Sequence, residues 1–117
     1  MADPTVPSLE GRTFHTVGTD DAGEASADTL FEYHEEDGVV WARYRGGSVR
    51  LGYIVGLRTG DELDIRYSQL STAGESASGR CHTTMTTLPD GRIRLTEDWS
   101  WETKPGSGTN VTEELPR

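Results

Sequence analysis

FEYHEEDGVVWARYRGGSVRLGYIVGL, Phe31 to Leu57, contains two turn signals, Asp37-Gly38 and Gly46-Gly47, and their reading decides the fold. If both are two-residue turns of the primed type, the three segments they join pair as antiparallel strands. Alternation with a period of two then puts Phe31, Tyr33, Val40, Ala42 and Tyr44 on one face, where they meet Val49, Leu51 and Tyr53 of the third segment. The opposite face pairs Glu32 with Arg43 and lays Trp41 over Gly52. One face is apolar and the other charged, as expected of a sheet with one dry side.

The same pattern continues in both directions. LRTGDEL, STAGES, LPDGRI and KPGSGT carry the Gly, Asp and Pro chemistry of further turns. Between the turns lie strands expected at Thr29 to Glu35, Val39 to Arg45, Val49 to Leu57, Leu63 to Gln69, Ser76 to Thr87, Arg92 to Trp101 and Thr109 to Glu113. A short strand in GRTFHT, from Gly11, precedes them. Residues 1–117 form one domain, with a flexible lead over 1–10, a polar loop over 16–28, and a short last strand and tail over 104–117. No segment shows a helical period, and only Glu24 to Asp28 could hold a turn of helix. A meander of eight strands must satisfy two edges, and closure removes both. The expected fold is all-β: a single antiparallel up-and-down β-barrel of about eight strands, calycin- or lipocalin-like, with a small interior.

Pro89-Asp90-Gly91 reads as a type I turn with a glycine bulge. Leu88 then opposes Arg92, Cys81 opposes Trp99, Thr83 opposes Glu97, and His82 opposes Asp98 on the other side. Leu63, Ile65, Tyr67, Gln69, Ala77 and Gly79 join the apolar face, which is the interior. His34, Arg66, Arg80 and Arg94 fall on the charged face and meet solvent.

The polar exceptions inside are Gln69, Thr83, Glu97 and the hydroxyls of Tyr33, Tyr44, Tyr53 and Tyr67. Glu97 shares its row with Ile93, Leu95, Trp99 and Trp101. A carboxylate in an apolar lumen must find a partner or take up a proton. Alternation puts Arg12 on the face of Phe14, and closure brings that strand to the last one, so Arg12 is one candidate partner. Thr83 and the tyrosine hydroxyls are the others. Paired, the carboxylate could orient a polar ligand; unpaired, it could serve as a general acid or base. Glu97 is therefore the candidate catalytic residue. The candidate ligand-binding residues are Arg12, Tyr33, Tyr53, Tyr67, Gln69, Cys81, Thr83, Trp99 and Trp101. Each has a plainer reading: Glu97 tying strands together through backbone or tyrosine bonds, the aromatics as core packing, and Cys81 as a small buried hydrophobe.

Other chemistries are poorly served. The net charge of -9 repels nucleic acid and anionic membrane. No apolar run approaches the roughly 18 residues of a membrane-spanning helix, and MADPTVPSLEGR lacks the features of a signal peptide, so the cytoplasm is the expected compartment. The lone Cys81 forms no internal disulfide. His15, His34 and His82 lie on separate strands without ligand spacing, so no metal is expected. No glycine loop cradles a phosphate, no nucleophile elbow is present, and no cofactor is expected. His82 opposite Asp98 is ordinary pairing on an exposed face. Oligomeric state leaves no trace in the pattern.

GRTF, FEYHEEDGVVWARYRGGSVRLGYIVGL, LDIRYSQL, GESASGRC and LPDGRIRLTEDWSWE, in that order, resemble a family of small bacterial proteins commonly labelled "N-acetylglutamate synthase". The likeness runs from Gly11 to Glu102. It implies a small β-barrel and carries over no activity residue by residue. The glycine-rich strand-to-helix turn by which acetyl-CoA-dependent acyltransferases hold a pyrophosphate has no counterpart here. Three readings of function follow. The first is a barrel binding a small organic ligand between aromatic walls. The second is an isomerase, cyclase or hydrolase of a hydrophobic metabolite using Glu97. The third is a filled barrel with a structural or interaction role.

Overall fold

Asp37 and Gly38 both take positive φ, 52° and 79°, the conformation a type I′ hairpin turn requires. In the computed structural model, which describes residues 4–19 and 26–116, that turn joins two of eight strands. They are β1 (Arg12–Thr19), β2 (Leu30–Glu36), β3 (Val39–Gly46), β4 (Val49–Thr59), β5 (Glu62–Ser71), β6 (Ser76–Thr87), β7 (Ile93–Trp101) and β8 (Ser107–Glu114). Neighbours in sequence pair antiparallel, and β8 pairs with β1, so the sheet closes into the expected up-and-down barrel. Among the described residues there is no helix. The turn of helix considered at Glu24 to Asp28 lies partly outside the described residues, as does the middle of the loop over 16–28; β1 runs on to Thr19 where that loop was expected to have begun.

The β6–β7 register is the one read from the sequence: Cys81 opposes Trp99, Thr83 opposes Glu97 and His82 opposes Asp98. His82 nevertheless bonds Glu62 on β5, Nε2 to Oε1 at 2.8 Å, and Thr109 donates to Asp98.

The β3–β4 register differs from the expected one. Gly46 (φ 120°) pairs with Val49, which leaves Gly47 and Ser48 at the tip, and the ladder slips between Tyr44 and Gly46. Against β5 it slips again between Val49 and Leu51. An extra residue in a ladder turns over every side chain beyond it. Gly52 and Ile54 therefore face inward, while Leu51, Tyr53, Val55 and Leu57 face out. Three expectations are corrected, the first being Leu51, which was expected on the inner face and lies on the outer wall. Tyr53 is 56% exposed on the outer wall, not in the lumen, and Trp41 pairs with Val55, not Gly52.

It is Tyr44 that lies against Gly52. A Cβ at Gly52 would fall within the Tyr44 ring, so the missing side chain is what admits the ring. Gly52→Ala is expected to cost about 1–3 kcal/mol through overpacking, read from the urea midpoint. In a Tyr44→Leu background most of that cost should vanish; an undiminished cost would place the conflict in the backbone.

The two ends of the barrel differ. One carries the turns at 37–38, 60–61 and 88–92 and is stoppered by residues 4–10, which were expected to be flexible. Val6 and Leu9 are buried there with Leu63, Met85 and Ile93. Arg58 holds the stopper: Nη1 donates to the Pro7 carbonyl and to Glu35, and Nη2 to the Val6 carbonyl. Asp61 accepts from the backbone N–H of Thr5 and Val6. The other end carries the turns at 47–48, 72–75 and 102–106.

Candidate functional site

Alternation along β7 from Ile93 sends Leu95, Glu97, Trp99 and Trp101 successively up the inner wall, away from the stopper. Around the upper part of that row lies a cavity of about 60 Å³. Its walls are Phe31, Tyr44, Ile54, Ile65, Tyr67, Gln69, Cys81, Glu97, Trp99, Trp101 and Asn110. Trp99 and Trp101 meet edge to face at 5.9 Å, Tyr67 meets Trp101 at 5.3 Å, and Phe31 stacks on Tyr44 at 4.9 Å. The tyrosines are fixed by their hydroxyls. Tyr44 donates to Gln69 Oε1 at 2.9 Å and Tyr67 to the Ser100 carbonyl at 3.1 Å. A Cβ on Gly79 would collide with the Tyr67 hydroxyl, so this glycine, like Gly52, makes room for a ring.

Glu97 stands in the cavity wall between Thr83 on β6 and Asn110 on β8. It is 6% exposed, and among the described residues it has neither a hydrogen-bond nor an ion-pair partner. Burial alone pushes its pKa up to about 8, so at neutral pH the carboxyl is mostly protonated. Its neighbours are displaced the same way. Burial, then the charge of Glu97, pushes the Cys81 thiol far up; burial, then Glu97 and Cys81, does the same to the Tyr33 phenol. Cys81 therefore offers no thiolate nucleophile.

The expected ligand-binding residues divide. Tyr67, Gln69, Cys81, Trp99 and Trp101 line the cavity with Glu97. Thr83 is fully buried behind it, its Oγ1 3.5 Å from Cys81 Sγ, and Tyr33 is buried deeper with a hydroxyl that has no partner. Trp99 Nε1 likewise has none. Arg12 does not reach Glu97: its Nη1 lies 2.9 Å from both carboxylate oxygens of Glu114, at the stoppered end. Tyr53 is outside the barrel. Phe31, Tyr44, Ile54, Ile65 and Asn110 were not among the candidates. Nothing in the sequence pattern singled out Asn110, although the β7–β8 register sets it opposite Glu97.

An aromatic-walled lumen in a closed eight-strand meander agrees with the family comparison: a family model described as "Avidin-like protein" matches residues 7–115. The chain belongs to the Avidin-like protein family. The match takes in all eight strands of this Avidin-like barrel. It agrees with the small-barrel resemblance of the sequence and does not bear on the synthase label. No curated protein and no solved structure matches the chain with significance. Among the described residues no group of His, Cys, Asp and Glu is placed to hold a metal ion.

Proposed function

We propose that the chain binds a small organic molecule in the aromatic cavity at the end of its barrel opposite the stopper. The observation that carries this reading is Glu97: a carboxyl in a cavity wall with no partner among the described residues is costly unless something else satisfies it. Family membership supports it, because Avidin-like barrels bind small, biotin-like ligands. The rings of Trp99, Trp101 and Tyr67 would cover the apolar part of such a guest, and Glu97 and Gln69 would fix its polar part. Catalysis in the same cavity is less favoured by the geometry. Cys81 and Tyr33 beside Glu97 are both pushed up and hold their protons, so neither supplies a partner base for it.

Tryptophan emission tests the proposal, since Trp99 and Trp101 stand in the cavity wall and Trp41 on the outer wall. Titration with biotin and then a panel of small metabolites should give a saturable change for at least one compound. In a Trp101→Phe variant most of that change should be lost. No change with any compound would leave the filled barrel acting through its surface.

A further inference from the structure

Resting on the binding reading above, we infer that the cavity selects ligands with a small cationic head, a quaternary ammonium, amine or amidinium, which docks on Glu97 inside the aromatic walls. Three observations converge. The first is the absence of any countercharge. Among the described residues Arg12 is taken by Glu114, Arg58 by Glu35 and Asp61, and Arg92 by Asp90. Arg43, Arg45, Arg50, Arg66, Arg80 and Arg94 are all exposed on the outer wall, and Lys104 stands at the rim of the cavity over the Trp101 ring.

The second is the nature of the walls. The Tyr44 and Tyr67 hydroxyl protons are already committed to Gln69 and to the Ser100 carbonyl, which leaves the neutral Trp99 Nε1–H, without a partner among the described residues, as a donor in the wall. The rings of Trp99, Trp101 and Tyr67 line the same space, and aromatic faces attract cations placed within about 6 Å of the ring centroid. At the rim this attraction is already in use: Lys104 Nζ sits 4.6 Å from the Trp101 ring.

The third is size. A cavity of about 60 Å³ holds roughly four to six waters, which is the room needed by a head of about four or five non-hydrogen atoms. A trimethylammonium or guanidinium group is of that size. The net charge of -9 draws cations toward the molecule from solution.

The proton on Glu97 makes the selection dependent on pH. The titratable groups facing it are Tyr33 from β2, Tyr44 from β3, Tyr67 from β5 and Cys81 from β6, of which burial pushes Tyr33 and Cys81 up; β1, β4 and β8 contribute Phe14, Thr16, Gly52, Ile54 and Asn110. A cation displaces the Glu97 proton, so its affinity must rise with pH until the carboxyl is ionised in the free protein.

The test compares choline with its uncharged carbon isostere, 3,3-dimethylbutan-1-ol, by tryptophan emission and by calorimetry from pH 5 to 9. Choline keeps its charge throughout. Its affinity should rise by about tenfold per pH unit from pH 5 to 7 and level off above about pH 8, while that of the alcohol stays flat. In Glu97→Gln the preference for choline and its pH dependence should both disappear. If the alcohol, or biotin, binds and choline binds no better at pH 9, the cation reading is overturned and the binding cavity stands. If no compound of any charge binds at any pH, both fall together.

Discussion

Replacing Arg12 by alanine is expected to destabilise the barrel by about 3–5 kcal/mol, the cost of leaving a buried carboxylate without its cation. Glu114 is 1% exposed and its oxygens receive Arg12 Nη1 at 2.9 Å, with the Ile93 N–H donating to Oε1 at 3.2 Å. The position adds to the effect. Phe14 on β1 opposes Glu114 on β8, so this pair clamps the seam where the first and last strands close the ring, and Arg12 Nε also holds the Ser8 carbonyl of the stopper. Without Arg12 the carboxyl must stay charged in a dry site, take up a proton or open the seam to water, each at a cost. The double variant Arg12→Met/Glu114→Gln removes both charges and should recover most of the loss, which separates an uncompensated charge from lost packing. Urea denaturation of the four proteins gives the answer. A single-variant loss under about 1 kcal/mol would show the pair to be worth no more than a surface ion pair.

Glu97→Gln is expected to make the barrel more stable at high pH, by about 4–5 kcal/mol at pH 9. In the unfolded chain the carboxyl titrates near its ordinary 4.5, and in the barrel at about 8. Below pH 4.5 it is protonated in both states and costs nothing. Between 4.5 and 8 only the unfolded chain loses the proton, so stability falls as the pH rises; above 8 both are ionised and the fall stops. Each pKa unit is worth about 1.4 kcal/mol, which sets the size of the total loss. Glutamine keeps the shape and cannot titrate. The difference in stability between variant and wild type should therefore lie within about 1 kcal/mol of zero at pH 4 and grow steadily to pH 8. The remaining titrations are common to both proteins and cancel. A difference that is flat with pH would mean that the carboxyl is solvated.

How much of this was legible depended on whether a strand has one wet face. β6 and β7 do: their outer rows read His82, Arg80 and Asp98, Arg94, so only one register keeps charge out of the core, and the pairing of Thr83 with Glu97 follows. β4 does not. Leu51, Tyr53, Val55 and Leu57 on one side compete with Ile54 and two glycines on the other, and hydrophobicity favours the wrong side. The deciding signal is steric. Gly52 and Gly56 are small because Tyr44 and Ile65 stand against them, and that complementarity is visible only once the strands are set side by side. The Gly46-Gly47 doublet compounded the error, since either pair of residues around it can form the tip.

Two site misreadings share a cause at the chain ends. Arg12 was placed on the inner face as expected, but the last strand was read to stop at Glu113, one residue short of its inward-pointing partner. The stopper is too short to show any periodicity; it is fixed by Arg58 and Asp61, which lie more than fifty positions away in the chain. The isolation of Glu97, by contrast, was visible as a carboxylate in a row of apolar residues, and its lack of a partner became plain when Arg12 was found elsewhere.

The most direct test of a binding cavity built around an unpaired interior carboxyl is to follow the Glu97 side-chain carboxyl carbon by NMR across the pH range in the free protein. Titration near pH 8, with a shift toward lower pH when a cation occupies the cavity, is the expected result. Titration near 4.5, indistinguishable from that of an exposed glutamate, would contradict the account.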